Sequence, residues 1–174
     1  MTSTSESTVT TQVYRVYIRA TPEAIWDAIT KPEWTEKYGY GGLVEYELRP
    51  GGVARAHADA AMLAGAEQQG YTIPELIIDG EVVEVDPPRK LVQTWRMLMD
   101  PDMASEPFSQ LTWEIAEGTD GVSTLTVTHD LTDAPSTAVL VSGGKAHEGA
   151  GGGWSWILSD LKTLLETGTR LPWQ

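Results

Sequence analysis

The sequence predicts an α+β domain in which a curved antiparallel sheet of about seven strands packs against one long C-terminal helix. Short segments of alternating apolar and polar residues follow one another between turn residues, which is typical of an antiparallel meander. The last segment instead repeats apolar residues every three or four positions, the spacing of a helix that buries one face. Because each element has a single apolar face, the stable arrangement lays the helix across the sheet.

Composition limits the kind of protein this can be. The chain has 174 residues, which favours one domain, and a formal charge of −13. The electrostatic field of a negatively charged protein repels phosphate groups, so we expect neither a nucleic acid nor an anionic membrane as partner. The chain contains no cysteine, which excludes disulfides, thiolate zinc sites and thiol nucleophiles. Without a signal peptide or a long apolar run, the sequence predicts a cytoplasmic protein.

The first elements follow from local patterns. Residues 1–11 are expected to form a disordered polar tail, and residues 12–174 a single domain. Residues 13–20 alternate between apolar and polar positions, which predicts a half-buried strand. Thr21 and Pro22 then suit the N-cap and the first position of a short helix. This helix ends before Pro32, where a second short helix is expected to begin.

Six further strands and one helix complete the fold. The strands are predicted at residues 43–48, 53–59, 76–85, 91–99, 108–116 and 122–131. The less regular stretch 60–73 is interpreted as a partly helical insertion. Several glycines between residues 143 and 153 predict a flexible loop that controls entry to the interior. The final helix carries an apolar stripe and ends at Gly168. The stripe consists of Trp154, Ile157, Leu158, Leu161, Leu164 and Leu165.

The sequence resembles the SRPBCC superfamily, also called START-like or helix-grip proteins, in five stretches: TPEAIWDAITKPEWTEKY, RPGG, GEVVEVDPPRKLVQTWR, STLTVTHDL and GGGWSWILSDLKTLLETG. Within it, these stretches are similar to the branch named after homologues of the C-terminal domain of the heat-shock-protein ATPase activator. The resemblance extends from residue 12 to residue 168. It implies a helix-grip fold with a hydrophobic cavity beneath the C-terminal helix. Members of the superfamily carry, sequester or cyclise lipids or polyketides, and many have no assigned activity, so the fold alone does not decide function.

His129 is the polar residue expected to face this cavity, because it shares strand parity with Leu125 and Val127. An imidazole there could bind a ligand carbonyl or act as an acid or base. The alternative is a core histidine that a neighbouring group satisfies. His57 is expected to point outward, opposite a row of alanines, and His147 to lie in solvent. The three histidines lack metal-ligand spacing, so we expect no metal site and no cofactor.

The aromatic residues supply the remaining candidates. Seven Trp and six Tyr accompany a single Phe, and such side chains combine a large apolar body with a polar group. They could line a pocket for a flat or extended apolar ligand, or they could simply fill the core. The ligand-binding residues predicted on the first interpretation are Trp34, Tyr38, Trp95, Trp113, His129, Trp154, Leu158 and Leu161.

Three functions are compatible with this sequence. We favour a cofactor-free protein that binds a small hydrophobic molecule between the sheet and the C-terminal helix. The first alternative is an aromatase/cyclase- or hydrolase-type enzyme that uses the same cavity, with His129 as its catalytic acid or base. The second is a co-chaperone-like interaction module. A chaperone partner is not expected, because the named activators carry an additional N-terminal domain where this chain has a short polar tail. A homodimer is compatible with all three functions.

Overall fold

The computed structural model describes residues 10–172, so most of the predicted polar tail lies outside the described residues. The first strand begins at Thr11, one residue before the expected start of the domain. The strands are β1 Thr11–Ile18, β2 Leu43–Tyr46, β3 Ala54–His57, β4 Leu76–Asp79, β5 Val82–Asp86, β6 Lys90–Met97, β7 Ser109–Glu117 and β8 Ser123–Asp130. The helices are α1 Pro22–Thr30, α2 Pro32–Thr35, α3 Ala60–Gln68, α4 Pro101–Ala104, α5 Pro135–Val141 and α6 Gly153–Thr167.

The strands form one curved, unclosed antiparallel sheet, which confirms the predicted α+β helix-grip fold. The strand order is β1-β8-β7-β6-β4-β3-β2, and β5 pairs with β6 outside this path. The sheet has eight strands because the predicted strand 76–85 is divided into β4 and β5 at Gly80. The backbone carbonyl of Thr94 approaches Gly80 so closely that a β-carbon there would collide with it. Glycine therefore allows the chain to pass β6 at this break.

Two stretches that lack a clear sequence pattern also contain helices. The predicted insertion 60–73 includes α3, whose N-cap Asp59 accepts a hydrogen bond from the Met62 N–H at 2.7 Å. Residues 135–141 form α5, which the sequence pattern did not reveal. The Glu106 carboxylate caps α5 from the preceding hairpin by accepting hydrogen bonds from the N–H groups of Ser136 and Thr137.

The glycine-rich segment before α6 is shaped by close packing. The Gly153 N–H donates to the Tyr40 hydroxyl at 3.0 Å, and the Tyr40 ring leaves no room for a β-carbon on Gly151. Gly153 itself has a φ of 64° and lies against the Val141 carbonyl. These contacts, which sequence could not show, provide a packing reason for glycines that were expected to form a flexible entry loop.

Helix α6 buries its apolar stripe against the sheet. The Thr21 hydroxyl caps α1 and Gly168 ends α6 with a φ of 78°, as the sequence predicts. Trp154, Leu158 and Leu161 are buried on α6 and belong to the main core. Within residues 10–172, no helix has the length and apolar character needed to cross a bilayer.

A buried carboxylate on α6, which the sequence analysis missed, fixes the position of this helix. Asp160 is fully buried and accepts hydrogen bonds from the N–H groups of Gly39 at 2.9 Å and Leu171 at 2.6 Å. The Arg170 guanidinium donates to the same carboxylate at 3.1 Å and to the Gly39 carbonyl at 2.8 Å. Asp160 therefore joins α6 to the turn after α2 and to the C-terminal segment.

We predict that Asp160→Ala lowers the free energy of unfolding by about 3–5 kcal/mol, because it leaves a partly buried guanidinium and two backbone N–H groups without their carboxylate. Urea denaturation followed by circular dichroism measures this loss. Asp27→Ala is the matched control, since Asp27 forms an exposed ion pair with Lys31 on α1. That variant should lose less than about 1 kcal/mol. Similar losses in the two variants would contradict the anchoring role of Asp160.

Candidate functional site

The inner faces of β6, β7 and β8 meet the first turn of α6 at a group of aromatic and polar side chains. Cross-strand pairing places Gln93 opposite Leu111 and Leu111 opposite His129, so these three residues form one row across the sheet. Trp154 approaches this row from α6. We call the whole group the interior cluster; it consists of Tyr46, Gln93, Trp95, Ser109, Trp113, His129 and Trp154.

A directed chain of hydrogen bonds crosses the cluster from the helix to the sheet. The Trp154 indole N–H donates to His129 Nδ1 at 3.2 Å. An indole can only donate, so Nδ1 must carry the lone pair and a neutral imidazole must carry its proton on Nε2. Nε2 then donates to Ser109 Oγ at 2.8 Å, and the Ser109 hydroxyl donates to the Trp95 carbonyl at 2.8 Å. Trp154 thereby determines the tautomer of His129.

Burial also determines the charge of His129. The side chain is fully enclosed, and desolvation of the charged form lowers its pKa from 6.5 to about 4, against a smaller opposing effect of the Asp130 carboxylate. The imidazole is therefore neutral at neutral pH. His129 faces inward, as strand parity predicts, and has the neighbouring partners expected of a satisfied core histidine.

This tautomer bears directly on the enzyme alternative. Ser109 and His129 lie at the distance of a nucleophile and its base, but the base of such a pair must accept the hydroxyl proton. Here Nε2 is the donor, and the Ser109 proton is committed to the Trp95 carbonyl. In hydrolases of this kind, a carboxylate orients the other imidazole nitrogen, whereas Nδ1 here faces an indole donor. The arrangement therefore does not activate Ser109.

Gln93 connects the two remaining members of the cluster, Tyr46 and Trp113. Its Oε1 accepts hydrogen bonds from the Tyr46 hydroxyl at 2.6 Å and from the Trp113 indole N–H at 3.4 Å. Burial raises the pKa of Tyr46, and the hydrogen bond to Gln93 opposes this only partly, so the phenol stays protonated. The Trp113 and Trp154 rings meet edge to face with centroids 5.3 Å apart. Trp154 therefore contacts both His129, in the hydrogen-bonded chain, and Trp113, which is bonded to Gln93.

The structure brings only some of the predicted ligand-binding residues together. Trp95, Trp113, His129 and Trp154 converge in the cluster, whereas Leu158 and Leu161 lie farther along α6 in the core. Tyr38 is buried elsewhere and donates its hydroxyl proton to the Ala28 carbonyl at 2.9 Å. Trp34 is partly exposed, with the Lys37 ammonium 4.8 Å from its ring centroid.

Three cluster members were missed by sequence reasoning: Tyr46, Gln93 and Ser109. Gln93 shares strand parity with Leu91 and Trp95, and this signal alone indicates an inward side chain. Its polar character made it easy to overlook among apolar neighbours. The hydrogen-bond partners lie on other strands, so their identity has no local signature.

The space beneath α6 is occupied by rings in mutual contact, where the resemblance implied a cavity. The Trp95 and His129 rings meet edge to face with centroids 5.1 Å apart. Two hollows open elsewhere. One, of about 410 Å³, is lined by residues that include Arg55, Asp79 and Phe108, and the other, of about 440 Å³, lies beside Arg19. None of the predicted site residues lines either hollow.

The other histidines take the positions that the sequence predicts. His57 lies on the solvent side of β3 and its Nε2 is 2.7 Å from a Glu45 carboxylate oxygen, while Ala54 and Ala56 face the core. His147 is exposed. Among the described residues, no group of three or more His, Asp or Glu side chains is arranged to hold a metal ion.

Comparison with known proteins identifies the family and supports the fold. The family model described as Activator of Hsp90 ATPase homolog 1-like protein matches residues 19–166. No curated protein matches the chain by sequence.

Solved structures provide a second comparison. An HSP90 activator from Plasmodium falciparum has 18% identity and a TM-score of 0.60, with 90% of this chain and 96% of that chain covered. CalU16 from Micromonospora echinospora has 22% identity and a TM-score of 0.53, with 80% and 70% covered. DynU16, from the dynemicin biosynthetic locus, has 22% identity and a TM-score of 0.63, with 95% of this chain but only 51% of that chain covered. Likenesses at this level of identity establish the fold alone.

We predict that His129 makes stability depend on pH between about pH 6.5 and pH 4.5. In this interval the unfolded chain binds a proton that the folded chain excludes, so the stability that is complete above pH 6.5 is lost as pH falls toward the folded pKa of about 4. At about 1.4 kcal/mol per pH unit, the total is about 3 kcal/mol. Urea denaturation at several pH values measures the slope.

His129→Gln removes this titration and should flatten the profile in that interval, whatever the stability of the variant at pH 7. His147→Gln replaces an exposed histidine and should keep the wild-type slope. Carboxylates titrate in all three proteins and cancel in the comparison. Parallel profiles for the three proteins would show that His129 is not held neutral by the fold.

Proposed function

The chain belongs to the Activator of Hsp90 ATPase homolog 1-like family, and on this basis we propose that it binds a small hydrophobic molecule at the interior cluster, between the start of α6 and strands β6 to β8. The observation that carries the proposal is the chemical composition of the cluster. Oriented polar groups on Tyr46, Gln93, Ser109 and His129 lie among three tryptophan rings in the interior of the protein. Flat apolar walls with a few placed polar groups are typical of small-molecule sites.

Protein cores contain mostly apolar side chains, so polar groups at the centre of this one need an explanation. Burying a polar group costs free energy unless its hydrogen bonds are replaced, and a fully apolar core avoids this cost. Here the helix–sheet contact depends on such groups, through the hydrogen bond from Trp154 to His129. A ligand-binding role accounts for their presence, because the same groups can orient a bound molecule.

Binding requires the rings beneath α6 to separate. The first contact to open is the one between Trp154 and His129, whose hydrogen bond is worth about 1 kcal/mol net. A ligand that buries about 200 Å² of apolar surface gains about 5 kcal/mol from burial alone, before the entropic cost of association. The gain exceeds the loss of one hydrogen bond, so exchange of the internal contact for a ligand is energetically reasonable.

The wider context is consistent with this role. DynU16, which is similar in fold, comes from a biosynthetic locus, so this architecture occurs in a biosynthetic setting. Catalysis by His129 is less well supported, because both imidazole nitrogens are engaged and Ser109 is not activated. The charge of −13 supports the exclusion of nucleic acids and anionic membranes as partners, and a cysteine-free chain suits a cytoplasmic location.

We predict that Trp154→Phe binds a neutral aromatic probe, fluorene, about fivefold more tightly than the wild type, because no Trp154–His129 hydrogen bond has to be broken. Isothermal titration calorimetry measures the affinity. Trp156→Phe is the matched control: it makes the same substitution on α6, outside the cluster, and should change the affinity less than twofold.

Equal effects of the two substitutions would place the site elsewhere. Native mass spectrometry of freshly purified protein is the complementary test. A bound small molecule should appear on the wild type, and failure of both fluorene and any co-purified molecule to bind would contradict the proposed function.

A further inference from the structure

We infer that the interior cluster selects an uncharged ligand carrying an oxygen acceptor, such as a ketone, quinone or ester carbonyl, and that the side-chain amide of Gln93 recognises this oxygen. The inference rests on the proposed function and specifies the chemistry of its ligand. Its basis is the hydrogen bonding of Gln93, which is only 2% exposed.

The oxygen and the nitrogen of the Gln93 amide have very different surroundings. Oε1 accepts from both the Tyr46 hydroxyl and the Trp113 indole N–H. Because the indole can only donate, the amide oxygen and not the nitrogen must face it. The Nε2 group then carries two N–H donors, and no side chain or backbone group within residues 10–172 accepts a hydrogen bond from them.

An unpaired amide donor is unusual in a protein interior. The large majority of buried polar side-chain atoms have a partner. The Gln93 amide nitrogen has none among residues 10–172 and is not fully enclosed, so a molecule that enters the cluster can reach it. Ser109, His129 and the Trp154 indole are paired with each other or with the Trp95 carbonyl. Gln93 therefore keeps two side-chain N–H donors that are open to a bound molecule.

The charges of the cluster limit the ligand further. None of the seven cluster residues carries a charge at neutral pH, since burial lowers the pKa of His129 and raises that of Tyr46. A carboxylate would thus enter an apolar interior without a cationic partner, which is costly. A ligand with donors alone would leave the Gln93 N–H groups unpaired. A neutral carbonyl oxygen meets both conditions.

The experiment compares three probes of similar shape by isothermal titration calorimetry: fluorene, its ketone fluorenone, and fluorenecarboxylate. We expect the wild type to bind fluorenone about tenfold more tightly than fluorene, which corresponds to one recovered hydrogen bond. The carboxylate should bind at least tenfold more weakly than the ketone. Gln93→Leu should lose the preference for the ketone, so that this variant binds fluorenone and fluorene with the same affinity.

Gln110→Leu is the matched control, because it makes the same substitution at an exposed position of β7, outside the cluster. This variant should keep the ketone preference, which separates recognition by the Gln93 amide from a general effect of exchanging glutamine for leucine in the sheet. Thermal denaturation establishes that both variants are folded at the temperature of titration.

Two outcomes overturn the inference while the proposed function survives: equal binding of fluorene and fluorenone by the wild type, or a ketone preference that persists in Gln93→Leu. Either result would mean that the amide serves the structure only. If neither fluorene nor fluorenone binds the wild type, the inference is rejected, and the proposed function fails with it when no small molecule co-purifies with the protein.

Discussion

The hydrogen bond from the Trp154 indole to His129 Nδ1 is the interaction on which the arrangement of the interior depends. It joins α6 to β8, and it is the first link of a chain that continues through Ser109 to the Trp95 carbonyl. Since an indole cannot accept, the direction of the chain cannot reverse while this contact exists. One side chain on the helix therefore sets the protonation of a histidine on the sheet, and with it the chemistry open to Ser109.

A second anchor holds the opposite side of α6. Asp160 follows Trp154 by six positions, which corresponds to about 240° around the helix, so the two residues face different directions. Trp154 binds the sheet, whereas Asp160 binds the turn after α2 and the C-terminal segment. Anchors on two faces fix both the rotation and the position of the helix. Separation of the first turn of α6 from the sheet, where the interior cluster lies, would leave the Asp160 anchor in place.

The sequence predicted which faces point inward because this information is local. Strand parity placed His129 and the alanines of β3 correctly, and the spacing of apolar residues defined α6. The partners of buried polar groups are not local: Asp160 accepts from Gly39, 121 positions away. Division of the strand at Gly80 likewise depends on a carbonyl of β6. Whether rings predicted to line a cavity instead touch one another depends on packing among four elements, which no periodicity encodes.

The interior cluster is uncharged, whereas the chain as a whole is strongly acidic. The protein carries a formal charge of −13, yet burial keeps both ionisable members of the cluster, Tyr46 and His129, uncharged at neutral pH. Surface charges are screened over about 8–10 Å at moderate ionic strength, so they act on the approach of a molecule more than on its recognition inside.

Recognition beneath α6 must then rest on shape and on oriented dipoles. In the closed form the polar groups of Ser109, His129 and Trp154 are engaged, so a bound molecule has to compete with internal hydrogen bonds at these residues. Selectivity in such a site arises from donors such as the Gln93 amide N–H groups, which break no internal hydrogen bond when a ligand binds.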